Sequence, residues 1–239
     1  MSKIRGLVFD AYGTLFDVYS IGRLAETMYP GSGAAITSLW RDKQIEYSRL
    51  VTLSDPNVNG SGHYQPFWDL TLAALEYSLQ KLGLQYGQQD LKRLMDQYAQ
   101  LDAFPECKGV LQKLSEMGLP MVILSNGSPQ MLQSAADHSG LTPYLDHLIS
   151  VEQVRQFKTH PQAYALASKT LSFPTEELLF VSSNGWDVMG ATWYGFKTCW
   201  INRAGLPFET VGPHPSFNGS DLSVVLRVLQ SNANQPNSH

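Results

Sequence analysis

Five short apolar runs predict the buried strands of a sheet. They are rich in Val, Ile, Leu and Phe, and each is continuously apolar, which is typical of a parallel sheet covered on both faces. The runs span residues 4–9, 121–125, 147–151, 178–183 and 197–201. Segments next to the last four runs predict helices, and these span residues 105–118, 129–140, 161–171 and 186–195. Strands that alternate with helices favour an α/β fold built on a doubly wound, Rossmann-like parallel sheet.

The part of the chain between the first and second runs has a different pattern. Residues 17–104 contain no convincing strand, and apolar residues recur there at helical spacing in three segments. These segments span residues 34–50, 67–83 and 90–101. We therefore predict a helical cap subdomain, residues 17–104, inserted after the first strand of an α/β core domain that comprises residues 1–16 and 105–228. The polar residues 229–239 are predicted to form a disordered tail.

Composition and charge limit the kinds of partner that the chain can have. Apolar residues make up 43% and charged residues 16% of the 239 residues, which is enough for a large core. The net charge is −4 and no basic run is present, which argues against a nucleic-acid partner. Because no apolar stretch is long enough for a signal peptide or a membrane span, we expect a cytoplasmic protein with no membrane partner. Cys107 and Cys199 form no C-x-x-C pair and are interpreted as packing residues.

Polar side chains follow four of the predicted strands, at the ends where ligands bind in open parallel sheets. In chain order these are Asp10 and Thr14, then Ser125 and Asn126, then Lys158, and then Ser182, Asn184 and Asp187. Each of them taken alone also has an ordinary structural interpretation, as a turn residue, a helix N-cap or a solvated lysine. Their joint placement favours one crevice built around Asp10, which ends the first strand without an acidic neighbour.

Four motifs resemble those of the haloacid dehalogenase superfamily in their order and spacing. They are FDAYGTLF (residues 9–16), ILSNGSP (123–129), FKTHPQAY with its lysine (157–164) and FVSSNGWD (180–187). Within this superfamily, LWRDKQIEYS (39–48) and TCWINR (198–203) are similar to stretches of the L-2-haloacid dehalogenases. The resemblance therefore extends from the predicted core into the helical insert.

The resemblance implies an enzyme that hydrolyses short-chain L-2-haloalkanoic acids to D-2-hydroxyalkanoic acids. Asp10 would displace the halide from C2 with inversion and form an ester that water then cleaves. Neither a metal nor an organic cofactor is implied. The partners expected from the resemblance are a 2-haloacid substrate, the halide product and a second copy of the chain in a homodimer.

The resemblance also implies roles for the other candidate residues. Lys158 would keep the nucleophile ionised, and Thr14, Ser182 and Asn184 would donate hydrogen bonds to the carboxylates and the water. Asp187 would belong to the group that activates the water, and either Asp187 or Lys158 would take the proton. Ser125 and the backbone N–H groups of Ala11 and Tyr12 would bind the substrate carboxylate, and Arg41 and Asn126 would bind the halide. An apolar wall would be formed by Tyr12, Ile45 and Trp186. Tyr164 would lie near the lysine and the substrate.

Departures from the superfamily pattern define two alternatives. Most members of the superfamily are Mg²⁺-dependent phosphotransferases, and they have a second acid two residues after the nucleophilic aspartate. Here Tyr12 takes that place, and the fourth motif keeps only Asp187. Two carboxylates beside a lysine would hold Mg²⁺ poorly, which argues against a phosphatase on the same scaffold. The other alternative is a non-catalytic module that binds small carboxylates, and the cost of burying charges without a use argues against it.

The segment after Lys158 also departs from the family. Thr159 stands where the family usually has proline, and proline restricts the backbone of its neighbour, so we expect a slightly different aim of Lys158. His160 is interpreted as a loop residue or a residue at the start of a helix, because no acid is placed to orient it as a catalytic histidine.

Overall fold

A six-stranded parallel sheet forms the centre of the molecule. The computed structural model describes residues 3–60 and 62–233. The strands are β1 (Gly6–Phe9), β2 (Met121–Ser125), β3 (His147–Ser150), β4 (Leu178–Ser182), β5 (Lys197–Ile201) and β6 (Phe217–Gly219), and their order in the sheet is β3-β2-β1-β4-β5-β6. The apolar runs predicted the first five strands. They did not reveal β6, which is three residues long and lacks a continuous apolar run.

Helices fill the connections between the strands. Five helices of the described residues lie between β1 and β2, and the first four are α1 (Ile21–Met28), α2 (Gly33–Leu53), α3 (Phe67–Lys81) and α4 (Gln88–Tyr98). Further along the chain follow α5 (Cys107–Glu116), α6 (Pro129–His138), α7 (Pro161–Leu171), α8 (Gly185–Tyr194) and α9 (Ser223–Ala233), with short 3₁₀ turns at Val18–Ser20, Thr142–Tyr144, Val151–Gln153 and Thr175–Glu177. The predicted α/β fold class is confirmed, whereas the division into a core domain and a cap subdomain stays a prediction.

The strand order places the carboxyl ends of β1, β2 and β4 side by side. β1 lies between the other two strands, and every residue of the three is buried, so both faces are covered. The ladder between β1 and β4 continues one step beyond the strand, where the N–H of Asp10 donates to the carbonyl oxygen of Val181 at 2.9 Å. The chain therefore turns away at Asp10, at the point where the strand order reverses and where open sheets bind their ligands.

The C-terminal helix corrects one prediction. Helix α9 continues through residues 229–233, and Val228 and Leu229 are buried, so disorder from residue 229 onward is wrong for this part of the chain. Apolar side chains at helical spacing hold it on the core, although the polar residues that follow indicated a tail. Residues 234–239 of the predicted tail lie outside the described residues.

Three expectations from single residues and from hydropathy can be compared with the fold. Cys107 and Cys199 are free and buried, and burial raises the pKa of each thiol to about 12, in keeping with packing residues. His160 is the N-cap of α7, where its Nδ1 accepts a hydrogen bond from the N–H of Gln162 at 3.3 Å. Among the described residues, no helix combines the length and the apolar character that crossing a bilayer requires.

Candidate active site

A tight turn after β1 positions Asp10. Three consecutive N–H groups, those of residues 14–16, donate to the carbonyl oxygen of Ala11. Gly13 adopts a φ of 86° within this turn, a conformation that glycine reaches without steric cost. The turn folds Thr14 back on the strand end, so that Thr14 Oγ1 donates to Asp10 Oδ2 at 2.8 Å.

The two oxygens of the Asp10 carboxylate have different surroundings. Oδ2 accepts three hydrogen bonds, from Thr14 Oγ1 at 2.8 Å, Ser182 Oγ at 3.2 Å and Asn184 Nδ2 at 2.8 Å. Oδ1 accepts a hydrogen bond from Lys158 Nζ at 3.1 Å. Because three donors hold Oδ2 while Oδ1 meets a single ammonium, Oδ1 keeps a lone pair that can attack a bound molecule.

Lys158 lies between two buried carboxylates. Its Nζ is 3.1 Å from Asp10 Oδ1 and 2.9 Å from Asp187 Oδ2, and the side chains of Lys158 and Asp187 are 1% and 0% exposed. Its backbone N–H donates to Asn126 Oδ1 at 2.9 Å, which anchors the segment that carries it. With threonine in place of the family's proline at the next position, Lys158 reaches both carboxylates.

Burial and charge act in opposite directions on these groups. Burial disfavours the charged form of Lys158, but the attraction of Asp10 and Asp187 outweighs it and holds the pKa of Lys158 above its ordinary value. Burial raises the pKa of Asp187 to about 6, although the nearby ammonium opposes the increase. At neutral pH Lys158 is therefore an ammonium, and Asp187 takes up a proton when the pH falls through about 6.

Tyr164 supports Asp187 from within the protein. Its side chain is fully buried among the rings of Phe180, Tyr194 and Phe196, and its hydroxyl donates to Asp187 Oδ1 at 2.8 Å. The described residues that line the neighbouring cavity do not include it. Its position in α7 turns the hydroxyl toward the carboxylate that pairs with Lys158, and the expected place of Tyr164 near the lysine and the substrate stays a prediction.

A small cavity opens beside the Asp10 carboxylate. The predicted residues that line it are Asp10, Tyr12, Arg41, Ile45, Ser125, Asn126, Lys158 and Trp186. Ser48 and Phe67 also line it, and sequence reasoning missed both. Ser48 follows Arg41 and Ile45 on one face of α2, so helical spacing could have indicated it. No sequence signal singles out Phe67.

The remaining predicted residues lie around the carboxylates or in the turn. Thr14, Ser182, Asn184 and Asp187 contact Asp10 or Lys158 directly. Ala11 is fully buried and offers its backbone. Within residues 3–60 and 62–233, no acceptor is found for the N–H groups of Ala11 and Tyr12. Together with Ser125 on the cavity wall, these free donors could bind a carboxylate.

The helical insert contributes a second cation to the cavity. Arg41 extends from α2, and its Nη2 lies 3.4 Å from the carbonyl oxygen of Tyr12 and 3.4 Å from Asn184 Oδ1. Its Nη1 donates to Gln44 Oε1 at 2.7 Å. The cavity wall thus includes a guanidinium as well as the Lys158 ammonium, which suits a small anion or a developing negative charge.

Aromatic side chains form the apolar part of the wall. The ring of Tyr12 is 3% exposed and stacks on Tyr98 with a centroid separation of 5.4 Å. Gly127 makes room for it, because a Cβ at this position would come 2.8 Å from Tyr12 Cε2. Trp186 belongs to α8, and the guanidinium of Arg49 on α2 lies 4.9 Å from the centroid of its ring. Tyr12 therefore fills a packed position where the phosphotransferases carry their second acid.

The acids of the site already share a cation. Asp10 and Asp187 both accept from Lys158 Nζ, so a Mg²⁺ ion at these carboxylates would have to displace a buried ammonium. In the described ranges, no three His, Cys, Asp or Glu side chains gather in a group that could hold a metal. The donor set therefore does not favour a Mg²⁺-dependent phosphatase.

Comparisons with known proteins agree with this arrangement. A family model described as haloacid dehalogenase-like hydrolase matches residues 4–195. The (S)-2-haloacid dehalogenase H-109 of Pseudomonas putida is 43% identical over 93% of this chain and 96% of its own length. The crystal structure of the L-2-haloacid dehalogenase RSc1362 superposes with a TM-score of 0.93 at 51% identity, covering 96% of this chain and 100% of that one.

A further solved structure carries a chemical observation. It is the L-2-haloacid dehalogenase of Xanthobacter autotrophicus with chloropropionic acid covalently bound, and it superposes with a TM-score of 0.85 at 38% identity over 95% of this chain and 98% of that one. The match of the family model covers most of the sequence, and the likeness to the relatives runs along nearly its whole length. The chain belongs to the haloacid dehalogenase-like hydrolases.

Proposed function

We propose that the protein is an (S)-2-haloacid dehalogenase that hydrolyses short-chain L-2-haloalkanoic acids to D-2-hydroxyalkanoic acids. The observation that carries the proposal is the Asp10 carboxylate, whose Oδ2 is held by three donors while Oδ1 meets Lys158 beside the cavity. Relatives named for this activity match the chain over nearly its full length, and one related structure holds covalently bound chloropropionic acid.

In the first step, Asp10 Oδ1 attacks C2 of the substrate and the halide leaves. The N–H groups of Ala11 and Tyr12, with the Ser125 hydroxyl, bind the substrate carboxylate and fix C2 in line with the nucleophile. Halide departs without a proton, so no general acid is required, and a cation on the cavity wall stabilises the charge that develops on the leaving atom. Arg41 is the group that we assign to this task.

In the second step, water cleaves the ester at the Asp10 carbonyl carbon. Oδ1 is the ester oxygen, so Oδ2 remains the carbonyl oxygen, and Thr14, Ser182 and Asn184 already donate to it. These donors stabilise the negative charge that appears on Oδ2 when water adds. Because the pKa of Lys158 is raised, we assign proton acceptance from the water to Asp187.

Halide release from a panel of 2-haloacids tests the proposal. Both enantiomers of 2-chloropropionate and 2-bromopropionate are incubated with the enzyme in the presence of EDTA, and halide and product configuration are measured. We expect halide from the L-enantiomers and a D-2-hydroxy acid as product, because backside attack inverts C2 once. Retention or racemisation at C2 would contradict a single displacement. Binding of the acids without halide release would favour the non-catalytic alternative. Halide release that is lost in EDTA would favour the Mg²⁺-dependent alternative on the same scaffold.

Turnover should fall at acid pH with a midpoint below about 6, because ester formation removes the Asp10 charge that helps to raise the pKa of Asp187. Above this midpoint Asp187 is a carboxylate that can accept a proton from the attacking water, and below it the protonated form cannot. The maximal rate kcat, measured with saturating 2-bromopropionate from acid to neutral pH, should show this single acid limb. A kcat that stays constant down to the ordinary pKa of an aspartate, 3.8, would contradict the assignment of Asp187 as the base.

Tyr164→Phe should move this acid limb to higher pH. The Tyr164 hydroxyl donates to Asp187 Oδ1 and thereby favours the ionised carboxylate, so its loss raises the pKa of Asp187 further. Tyr194→Phe is the matched control, because its ring packs against that of Tyr164 with centroids 5.8 Å apart and the change is chemically the same. The control should keep the wild-type midpoint.

We also propose a homodimer in the cytoplasm. Exposed apolar side chains at the end of α2 and beyond it support a second copy as partner, since Leu50, Leu53 and Val58 are 55%, 84% and 86% exposed. The buried free thiols of Cys107 and Cys199 fit a reducing compartment. Light scattering on the purified protein measures the molar mass, and a monomer at micromolar concentration would contradict the dimer.

A further inference from the structure

The Arg41 side chain lies between two cavities. On one side is the catalytic cavity, and on the other is a second small cavity. The second cavity is lined by Val18, Tyr19, Ile21, Thr37, Trp40, Arg41, Gln44 and Tyr98. The hydrogen bonds of the guanidinium therefore decide which of its nitrogens faces the catalytic cavity.

One hydrogen bond dominates the contacts of this guanidinium. The contacts of Nη2 with the Tyr12 carbonyl oxygen and with Asn184 Oδ1 are both 3.4 Å long, near the upper limit for a hydrogen bond. The bond from Nη1 to Gln44 Oε1 is 2.7 Å long, and Gln44 is 1% exposed. A short bond to a buried acceptor outweighs two long ones, so Gln44 fixes the position of Arg41.

The amide of Gln44 has its own direction fixed by a neighbouring helix. Thr71 Oγ1 donates its hydrogen to the carbonyl oxygen of Phe67 at 2.6 Å, so toward Gln44 it can only accept. Gln44 Nε2 donates to Thr71 Oγ1 at 2.7 Å and to the hydroxyl oxygen of Tyr98 at 3.0 Å. The Thr71 bond holds the nitrogen on that side, so Oε1 faces Arg41, and Oε1 also accepts from the Tyr98 hydroxyl at 3.3 Å.

We propose that Gln44 is a positioning residue: by holding Nη1 of Arg41 at the side of the second cavity, it presents Nη2 to the catalytic cavity and the departing halide. The inference rests on the proposed dehalogenase function. A neutral amide suits this task because it accepts the hydrogen bond without cancelling the positive charge that the halide requires. The buried set of Gln44, Thr71 and Tyr98 thus connects α2, α3 and α4 to the chemistry at C2.

Gln44→Met tests the inference, since methionine is similar in volume and has no amide oxygen to accept from Arg41. The value of kcat/KM reports steps up to cleavage of the carbon–halogen bond and excludes ester hydrolysis. We expect kcat/KM for 2-chloropropionate to fall about 10- to 100-fold. This is less than the fall that follows removal of a whole charge-stabilising donor. 2-Bromopropionate should lose less, because bromide is the better leaving group, so the bromo-to-chloro ratio of kcat/KM should rise. Inhibition by added chloride should weaken in parallel.

Two variants of α3 form a matched pair. Thr71 and Ser78 each have a buried hydroxyl that donates to the carbonyl oxygen four residues earlier, at 2.6 Å and 2.7 Å. Thr71→Val removes the group that orients the Gln44 amide, so the bromo-to-chloro ratio should rise as in Gln44→Met, by a smaller factor. Ser78→Ala removes the equivalent hydroxyl without contacting Gln44 and should keep the wild-type ratio.

The outcomes separate positioning from stability. Equal losses for the two substrates in Gln44→Met, with an unchanged ratio, would show a purely structural role and overturn the inference. If Gln44→Met does not fold, the comparison of Thr71→Val with Ser78→Ala decides in the same way. A wild-type enzyme that releases no halide from either substrate would overturn the proposed function, which is a result distinct from an unchanged ratio.

Discussion

Asp10→Asn should abolish halide release and leave the fold intact. Asparagine fits the same space, and its carbonyl oxygen can take the three hydrogen bonds that Oδ2 now accepts from Thr14, Ser182 and Asn184. Its NH₂ group then occupies the position of the attacking oxygen, where it is not nucleophilic and faces the ammonium of Lys158. We expect kcat to fall by at least about 10⁴-fold, as when other enzymes lose their nucleophile.

A halide electrode and circular dichroism together measure this effect. Asp42→Asn is the matched control, because it makes the same chemical change at an exposed carboxylate on α2. It should keep wild-type turnover. Halide release by Asp10→Asn at a tenth of the wild-type rate would show that another group attacks C2, and an unfolded spectrum would show that Asp10 is required for the structure.

Lys158→Met should lower both turnover and stability. Methionine fills a similar volume, but it leaves the carboxylates of Asp10 and Asp187 buried without a cation. Breaking a buried pair in this way typically costs about 3–5 kcal/mol, and the pKa of Asp187 should rise further above 6. Since Asp187 is then protonated near neutral pH, we expect kcat to fall by about 10³-fold.

The sign of the pH dependence distinguishes this mechanism from a simple packing defect. The missing cation matters most when the carboxylates are ionised, so the loss in free energy of unfolding should be large at pH 7 and smaller at acid pH. Urea unfolding at both pH values measures it. Lys92→Met removes an exposed lysine paired with Asp96 on α4 and should change stability by less than about 1 kcal/mol. A loss in Lys158→Met that is independent of pH would indicate packing alone.

Most of the strands that the sequence predicted are buried along most of their length, although β3 at one edge begins with an exposed residue, His147. A strand such as β4, with all five residues buried, has no polar position to interrupt its apolar run. β6 at the edge of the sheet has an exposed residue, Asn218, between two half-buried ones, and it shows no such run. Helix α1 was missed although Ile21, Leu24, Ala25 and Met28 recur at helical spacing, because its eight residues span only about two turns. Short elements contain too few residues for a periodicity to be recognised.

The site was predictable where parallel topology alone brings residues together. Asp10, Ser125 and Ser182 end neighbouring strands, so their proximity follows from the strand order. The contribution of Arg41 came from the family resemblance, since no local pattern shows how an inserted helical region lies on a sheet. The contact between Gln44 and Arg41 depends on the packing of three helices, and helical spacing indicates only that Gln44 lies one turn away.

The contacts of Asp10 connect very distant parts of the sequence. Lys158, Ser182 and Asn184 lie 148, 172 and 174 residues beyond the carboxylate that they hold. A continuous stretch that contains both carboxylates and their shared lysine must therefore include most of the chain. The activity is thus not modular, because a fragment that contains one motif lacks the other residues that hold the Asp10 carboxylate and has no activity of its own. Exchange of segments between relatives can preserve it only if the register of β1, β2 and β4 is kept together.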